Sequence, residues 1–344
     1  MKLLSFIIPS YNSERFLNKC IDSMISEDVS EKIEIIVVND GSLDSTKEIA
    51  ESYCLKYPQI VKLVSQENRG HGGAINSGIK VATGKYLKVI DADDWIETEN
   101  LPTFLEWLSN IESDVVITHY YTYDISTNEK KKIMSYMPEF GRAYSLGEIL
   151  NMWNDFDRTV TFHGITYNTN FYLSHFKSLT EHVFFEDHEF STFPCCYAQS
   201  ITPLDLFIYC YRIGDVSQSV SDINQLKRVS HYETIINGII NEFSGISDGL
   251  SDDAKNFICV KTKIILMSYF TVLLLIETDK KKGRAEAKKV ISNLSESMPT
   301  AYLMIKKKYR FMLLMNKFGI KKKTMDKFLS SKLYRIAKGA HDLD

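Results

Sequence analysis

The sequence predicts an α/β protein, a mainly parallel sheet flanked by helices, with a C-terminal α-helical add-on. Three observations carry this. Apolar runs of strand length recur at residues 3–8, 33–38, 61–65 and 86–90, and helix-length segments separate them. That alternation is the pattern of right-handed parallel crossovers. The strand ends also carry polar clusters: Pro9-Ser10-Tyr11-Asn12, Asn39-Asp40-Gly41-Ser42 and Asp91-Ala92-Asp93-Asp94. Ligands bind beyond the carboxyl ends of strands in such sheets, so these clusters are expected to line one crevice. Finally, strand signals cease near residues 220–228, and the remainder of the chain is helical and lysine-rich. The expected division is a catalytic domain over 1–222 and a helical domain over 223–344.

Each element has its own local signal. Residues 3–8 form a continuous apolar run closed by Pro9, a buried first strand. Asn12 or Ser13 is set to cap a helix reaching about residue 26. Residues 33–38 make the second strand, and Asp44-Ser45-Thr46 opens a helix to about residue 57. After the short strand 61–65 comes the glycine-rich stretch Asn68-Arg69-Gly70-His71-Gly72-Gly73 and a helix over 74–82. Strand 86–90 delivers the acidic cluster. Beyond it we expect a helix over 102–109, a β-prone segment over 115–121, a polar turn at 128–132 and a helix over 146–153. Residues 160–167 suit a strand or bend, 201–211 one or two strands, and 212–219 a loop long enough to act as a lid. Helices are expected over 229–243, 252–276, 284–294 and 301–318. The apolar run 264–276 is shorter than the about 20 residues that span a bilayer, and it reads as a buried helix.

Charge is unevenly distributed. Residues 280–344 hold 18 Lys/Arg against 5 Asp/Glu, a net of +13, so the preceding residues carry −16 of the overall −3. The lysine clusters flank Phe311, Met312, Leu313 and Leu314, which fits either a basic membrane-surface helix or a solvated lysine face over a small helical core. Six cysteines without zinc spacing read as reduced thiols of a cytosolic protein. The opening residues are interrupted too soon for a secretory signal.

Three carboxylates within four residues at a strand end repel one another and need a partner. A hard divalent cation such as Mg2+ or Mn2+ is one; a solvated acidic turn that caps the next helix is the other. A second acidic knot, Glu186-Asp187, comes after Phe184-Phe185, surroundings that raise a carboxyl pKa toward what a general base wants. An acid-rich helix N-terminus would look the same. His163, His188 and His231 could complete a metal or phosphate site or serve only in packing. The glycine fingerprint of dinucleotide binding and the phosphate-loop pattern are both absent after the first strand.

The motifs Phe6-Ile7-Ile8-Pro9-Ser10-Tyr11-Asn12, Val37-Val38-Asn39-Asp40-Gly41-Ser42, Asn68-Arg69-Gly70 through Asn76-Ser77-Gly78, and Asp91-Ala92-Asp93-Asp94, in this order, resemble those of bacterial family 2 glycosyltransferases, which have the Rossmann-like GT-A fold. The likeness covers roughly residues 1–220 and is to members that build capsule or exopolysaccharide or glycosylate serine-rich adhesins. It implies a UDP-sugar donor and a glycan acceptor on a lipid carrier or a surface protein. Asp40 would hydrogen-bond uracil, with Pro9, Tyr11 and Asn12 lining the base and ribose and Arg69 and Gly70 near the uridine. Asp91, beside Ala92, would meet the ribose or the metal. Asp93 would ligate Mn2+ or Mg2+, and Asp187 would act as base supported by Glu186. His71-Gly72-Gly73 departs from the family's pattern. The Gln-x-x-Arg-Trp motif of processive synthases is missing, which favours transfer of one hexose. A sugar-1-phosphate nucleotidyltransferase would want a glycine-rich loop where Pro9-Ser10-Tyr11-Asn12 stands. The remaining alternative is a non-catalytic scaffold. The resemblance implies no nucleic-acid partner. It places the chain in the cytoplasm, at most peripheral to the membrane, and leaves room for a homo-oligomer through the helical domain.

Overall fold

The first apolar run folds as β1 (Leu4–Ser10), buried at every position. The computed structural model describes residues 2–26, 29–134, 137–152, 160–215 and 222–329. After β1 come α1 (Leu17–Asp22), β2 (Ile33–Asp40), α2 (Thr46–Lys56), β3 (Val61–Gln66), α3 (Gly70–Val81) and β4 (Tyr86–Val89). β1 pairs in parallel with both β2 and β4, and β2 with β3, which is the alternation the sequence predicts. Asn12 does not cap a long helix as expected. It sits at φ 50°, and its Oδ1 accepts from the Leu43 amide (2.8 Å), tying the β1 loop to the β2 loop before α1 begins.

Further along lie β5 (Trp95–Ile96), α4 (Leu101–Asn110), β6 (Val115–Asp124), β7 (Glu129–Ile133), α5 (Leu146–Met152), β8 (Ile165–Asn168), α6 (Thr169–His175), α7 (Asp187–Phe190) and β9 (Ile201–Ile213). The sheet order is β3-β2-β1-β4-β8-β6-β9-β5, with β7 on β6. It is parallel through its first four strands and mixed beyond, because β8 runs antiparallel to both β4 and β6. The turn expected at 128–132 is instead strand β7. Its Glu-Lys-Lys-Lys-Ile sequence is that of a charged, exposed edge strand, a composition that resists edge-to-edge pairing. Arg212 and Ile213 belong to β9 rather than to the expected lid, Gly214 and Asp215 follow the strand, and 216–219 lie outside the described residues, as does Trp153.

Two compact units divide the chain: Met1–Gln218 with Ile246–Ile258, and Ser219–Gly245 with Cys259–Asp344. The core of the first is the apolar run of β1, β2 and β4 against Leu17, Ile21, Phe104 and Leu108. The helical region comprises α8 (Asp222–Lys227), α9 (Val229–Ile246), α10 (Asp252–Thr271), α11 (Lys280–Ser297), α12 (Pro299–Lys317) and α13 (Lys322–Leu329). α10 runs on through a π-helical turn, Val272–Ile276. A wider turn frees backbone carbonyls, and Asn316 Nδ2 donates to the Leu274 carbonyl at 2.7 Å. Asp279 caps α11 by accepting from the Lys281 and Lys282 amides. The span Asp252–Ile276 is longer than the apolar run alone indicated, and it is long and apolar enough to cross a bilayer. Yet 67% of its most apolar stretch is buried, which is the character of a core helix.

Candidate functional site

The parallel register brings the ends of β1, β2 and β4 side by side. Asp40, the last residue of β2, is 2% exposed. Its Oδ1 accepts from Gln66 Nε2 (2.7 Å) and from the Arg69 amide (2.9 Å), and its carbonyl accepts from Asn68 Nδ2. Gly41 comes next at φ 73°, a conformation glycine adopts without strain. Pro9 is buried at the end of β1, and Tyr11, half exposed, lies beyond it. The carboxylate of Asp40 is thus fixed by backbone and amide donors.

The acidic stretch after β4 is held by residues more than a hundred positions further along. Tyr209 on β9 donates its hydroxyl to Asp94 Oδ2 (2.6 Å) and accepts from the Asp91 amide (3.1 Å). The Arg212 amide donates to Asp94 Oδ1 (2.7 Å), and its guanidinium reaches Asp93 Oδ2 (3.3 Å) and Asp215 (2.7 Å). Asp94 is therefore not a cap of the next helix. It is 1% exposed and serves as the buried anchor of the stretch. Burial, with Asp91 and Asp93 nearby, pushes its carboxyl well above the usual range. Ala92 is buried between these carboxylates, and Cys20 donates its thiol to the Asp91 carbonyl. Beside Asp93 a cleft of about 130 Å³ opens, where Lys19 Nζ lies 3.0 Å from the Trp95 ring centre and Arg212 lies over Phe16.

His163 stacks on Tyr211, 4.2 Å between ring centres, and stands edge-on to Tyr209. Burial pushes its pKa down to about 4 against the pull of Asp91 and Asp187, so the ring is neutral at physiological pH and carries a lone pair. Its carbonyl, with that of Ile165, accepts from Lys88 Nζ, a fully buried lysine on β4 (2.9 and 3.1 Å). Burial lowers this amine to about 7.

The second acidic knot meets the first through α3. Glu186 is 3% exposed, and its Oε2 is buried with no hydrogen-bond partner among the described residues. Asp187 opens α7 and is half-buried. Phe185, at φ 75°, turns the chain between the two segments. His71 lies in the first turn of α3. Its Nδ1 is 2.5 Å from Glu186 Oε1 and its Nε2 is 2.9 Å from Asp91 Oδ1. Burial of the ring works against its charge, but Asp91 and Glu186 outweigh it and hold His71 well above the ordinary histidine range. The same contact outweighs burial at Asp91 and leaves that carboxyl below its usual value.

The neighbours of His71 explain the glycines. A Cβ on Gly72 would stand 2.5 Å from the Thr180 carbonyl oxygen, and one on Gly70, at φ 76°, would stand 2.9 Å from the His182 nitrogen. Arg69 pairs its guanidinium with Glu181, and its carbonyl accepts from the His182 amide. Asn76 exchanges two hydrogen bonds with the Leu179 backbone. The α3 N-terminus is thus clasped to residues 179–186.

Of the residues singled out from sequence, Asp40 and Arg69 touch directly, while Asp91 and Glu186 are joined only by way of His71. Arg69 contributes its backbone amide to the Asp40 side, while its guanidinium turns away to Glu181. Sequence reasoning did not find Tyr209, Arg212 or Lys88, and it gave His71 no role. The one signal for His71 was its break with the family's pattern. The donor atoms suit a divalent cation: Asp91, Asp94 and His163 offer ligand atoms within 4.8 Å of one another, a carboxylate and imidazole set of the kind Mn2+ accepts.

A mixed sheet, parallel through its first four strands, whose strand ends gather carboxylates and other polar groups has the architecture of the GT-A fold. Residues 5–184 match Glycosyl transferase family 2, and the chain belongs to that family. Glycosyltransferase GlyA of Streptococcus pneumoniae is 36% identical over 123 residues, 36% of this chain but 17% of that protein. Putative glycosyltransferase EpsH of Bacillus subtilis is 38% identical over 117 residues, 33% of its length, so the matched stretch spans well under two thirds of these relatives. Cholesterol galactosyltransferase of Borreliella burgdorferi is 27% identical over 305 residues, covering 85% of this chain and 82% of that one. Among solved structures, S. aureus TarS 1–349 has a TM-score of 0.59 at 18% identity and covers 100% of this chain and 93% of its own, a likeness of fold. The chain thus carries a glycosyl transferase family 2 domain with a GT-A fold, as its motifs implied.

Proposed function

We propose that this enzyme is an inverting, metal-dependent transferase that moves one hexose from a UDP-sugar, of the UDP-glucose or UDP-galactose type, to a glycan hydroxyl on a lipid-linked or protein-linked acceptor. The observation that carries this reading is the meeting of Asp91 and Glu186, far apart in sequence, at one imidazole. It supports a donor pocket and a base standing at one reaction centre. TarS has been solved with UDP-GlcNAc, and a mannosyltransferase from Pyrobaculum calidifontis of similar fold (TM-score 0.53) with GDP-Man and Mn2+, which agrees with a nucleotide-sugar donor and a metal here.

Asp40 is assigned to the uracil. Its Oδ1 is already committed to Gln66 and Arg69, and among the described residues none donates to Oδ2, which suits a ring N–H. Pro9, Tyr11 and Asn12 line the base and ribose. Asp93 and Asp91 would hold Mn2+ or Mg2+, with Asp94 and His163 offering further ligand atoms close to that of Asp91, and the ion when bound would supply charge compensation for the departing diphosphate. Asp94 also accepts from Tyr209 and the Arg212 amide, which keeps the stretch in place.

Asp187 accepts the proton of the acceptor hydroxyl as its oxygen bonds to the anomeric carbon. The bond from that carbon to the diphosphate breaks, and UDP leaves with the electron pair. One base acting from the opposite face gives single displacement, so an α-linked donor yields a β product, by analogy with inverting glycosidases. Glu186, committed to His71, supports the base. A screen of UDP-sugars with Mn2+, monitoring UDP release and the anomeric configuration of the product, tests the reading. Asp187→Asn should lose about 10²-fold or more in turnover while still binding UDP, a loss typical of removing a general base. Full activity in this variant would remove Asp187 from the role.

A further inference from the structure

We propose that His71 is a positioning residue that joins the donor half of the site to its base half, holding Asp91 with one ring nitrogen and Glu186 with the other. The inference rests on the transferase reading for its catalytic consequence, but the bridge itself does not.

Both imidazole nitrogens face carboxylate oxygens, at 2.5 and 2.9 Å. Each of these contacts is a charge-assisted hydrogen bond when the ring donates from both sides. The ring cannot swing away freely. Gly70 and Gly72 let the first turn of α3 press against residues 179–186, where any side chain at 72 would collide with the Thr180 carbonyl. Asn76 and Arg69 lock the same helix end to Leu179, Glu181 and His182. Phe162 lies 6.0 Å from the ring and closes one side. The carboxylates are equally constrained. Tyr209 accepts from the Asp91 backbone amide and so holds the segment that carries its carboxylate, and Glu186 is almost fully buried, with no partner for its second oxygen among the described residues. His71 is therefore the polar contact of the Glu186 carboxylate among the described residues. Since Glu186 directly precedes Asp187, fixing its side chain fixes the peptide that carries the base. The consequence is that the orientation of the base depends on the group that lines the donor pocket.

Two measurements test this. The first needs no activity: the ring 15N resonances of His71, assigned with His71→Gln, are compared in Glu186→Gln and Asp91→Asn. Each substitution should shift the nitrogen that faces it, and unmoved resonances in both variants overturn the bridge. The second is a double-mutant cycle in turnover. His71→Ala should lower kcat about 10- to 100-fold with donor KM little changed, the usual scale for a lost positioning contact. In the Glu186→Gln background the same change should cost little. Additive losses, or a change confined to donor KM, show that His71 acts as packing for α3 and overturn the positioning role. Circular dichroism and thermal unfolding of each variant identify any that fails to fold, and His71→Gln, which keeps an amide donor, is the conservative replacement should His71→Ala do so. If the wild-type protein transfers no sugar from any donor, the proposed function fails, and the resonance experiment still decides the bridge.

Discussion

Lys88 is the residue whose environment most opposes its chemistry. It is fully buried on β4, faces two backbone carbonyls and has no carboxylate partner among its hydrogen bonds. Burial brings its pKa from 10.5 down to about 7. An unfolded chain keeps the ordinary value, so between these limits the unfolded state binds the proton that the folded state has released. Stability then rises with pH across the window from about 7 to 10, at on the order of 1 kcal/mol per pH unit from this group alone. Below pH 7 both states are protonated and the contribution is flat. Lys88→Met removes the dependence. Urea unfolding at pH 7, 8 and 9 should show the stability of the wild type gaining on the variant with each step, and parallel curves would mean that the buried amine stays charged. The position was visible in sequence only as a lysine within an apolar run. What decides its behaviour, the carbonyls of residues 163 and 165 turning toward β4, comes from a segment that sequence reading left as strand or bend.

At the scale of elements, the clasp between α3 and residues 179–186 sets two effects against each other. Gly72→Ala would gain up to about 1 kcal/mol in helix propensity. The added methyl, 2.5 Å from a backbone oxygen and 3.1 Å from the Glu186 Cγ, must displace one segment, and overpacking of this kind costs about 1–3 kcal/mol. The second effect is expected to win. A lower denaturation midpoint with a loss of turnover larger than the stability loss explains would place the damage at Glu186, and a stabilised, fully active variant would refute it. The first four strands and their helices were legible because continuous apolar runs and turn residues are local signals. β7 was not, because an edge strand on a solvent face needs no apolar residues and reads as a turn. The antiparallel direction of β8, expected only as a strand or bend, and the hub at Tyr209 were hidden for another reason: β8 supplies only Ile165–Asn168, and the Tyr209 partners lie 115 and 118 positions away. The carboxylates themselves were legible. What holds them, His71, Tyr209 and Arg212, depends on sheet order.

For the whole molecule, the uneven charge asks for a partner. Along α12 the side chains of Leu303, Phe311 and Leu314, and that of Phe318 just past its end, are exposed, and Lys307, Lys308, Arg310 and Lys317 are exposed with them. Residues spaced by 3, 4 and 7 share one side of a helix, so apolar anchors and cations alternate along one face. A solvated lysine face accounts for the charges but not for four exposed apolar side chains between them. An anionic lipid surface accounts for both, through insertion of the apolar groups and attraction of the cations. We expect the protein to sediment with vesicles containing phosphatidylserine at low salt and to be released as salt shortens the Debye length from about 30 Å at 0.01 M to about 3 Å at 1 M. Neutralising Lys306, Lys307 and Lys308 to Gln should weaken binding about a hundredfold, at the usual contribution of each basic residue near such a surface. Phe311→Ser with Phe318→Ser should instead remove the part of the binding that survives salt. A protein that ignores vesicles at low salt but self-associates, and becomes monomeric with the two serines, would assign the same face to a second copy of the chain.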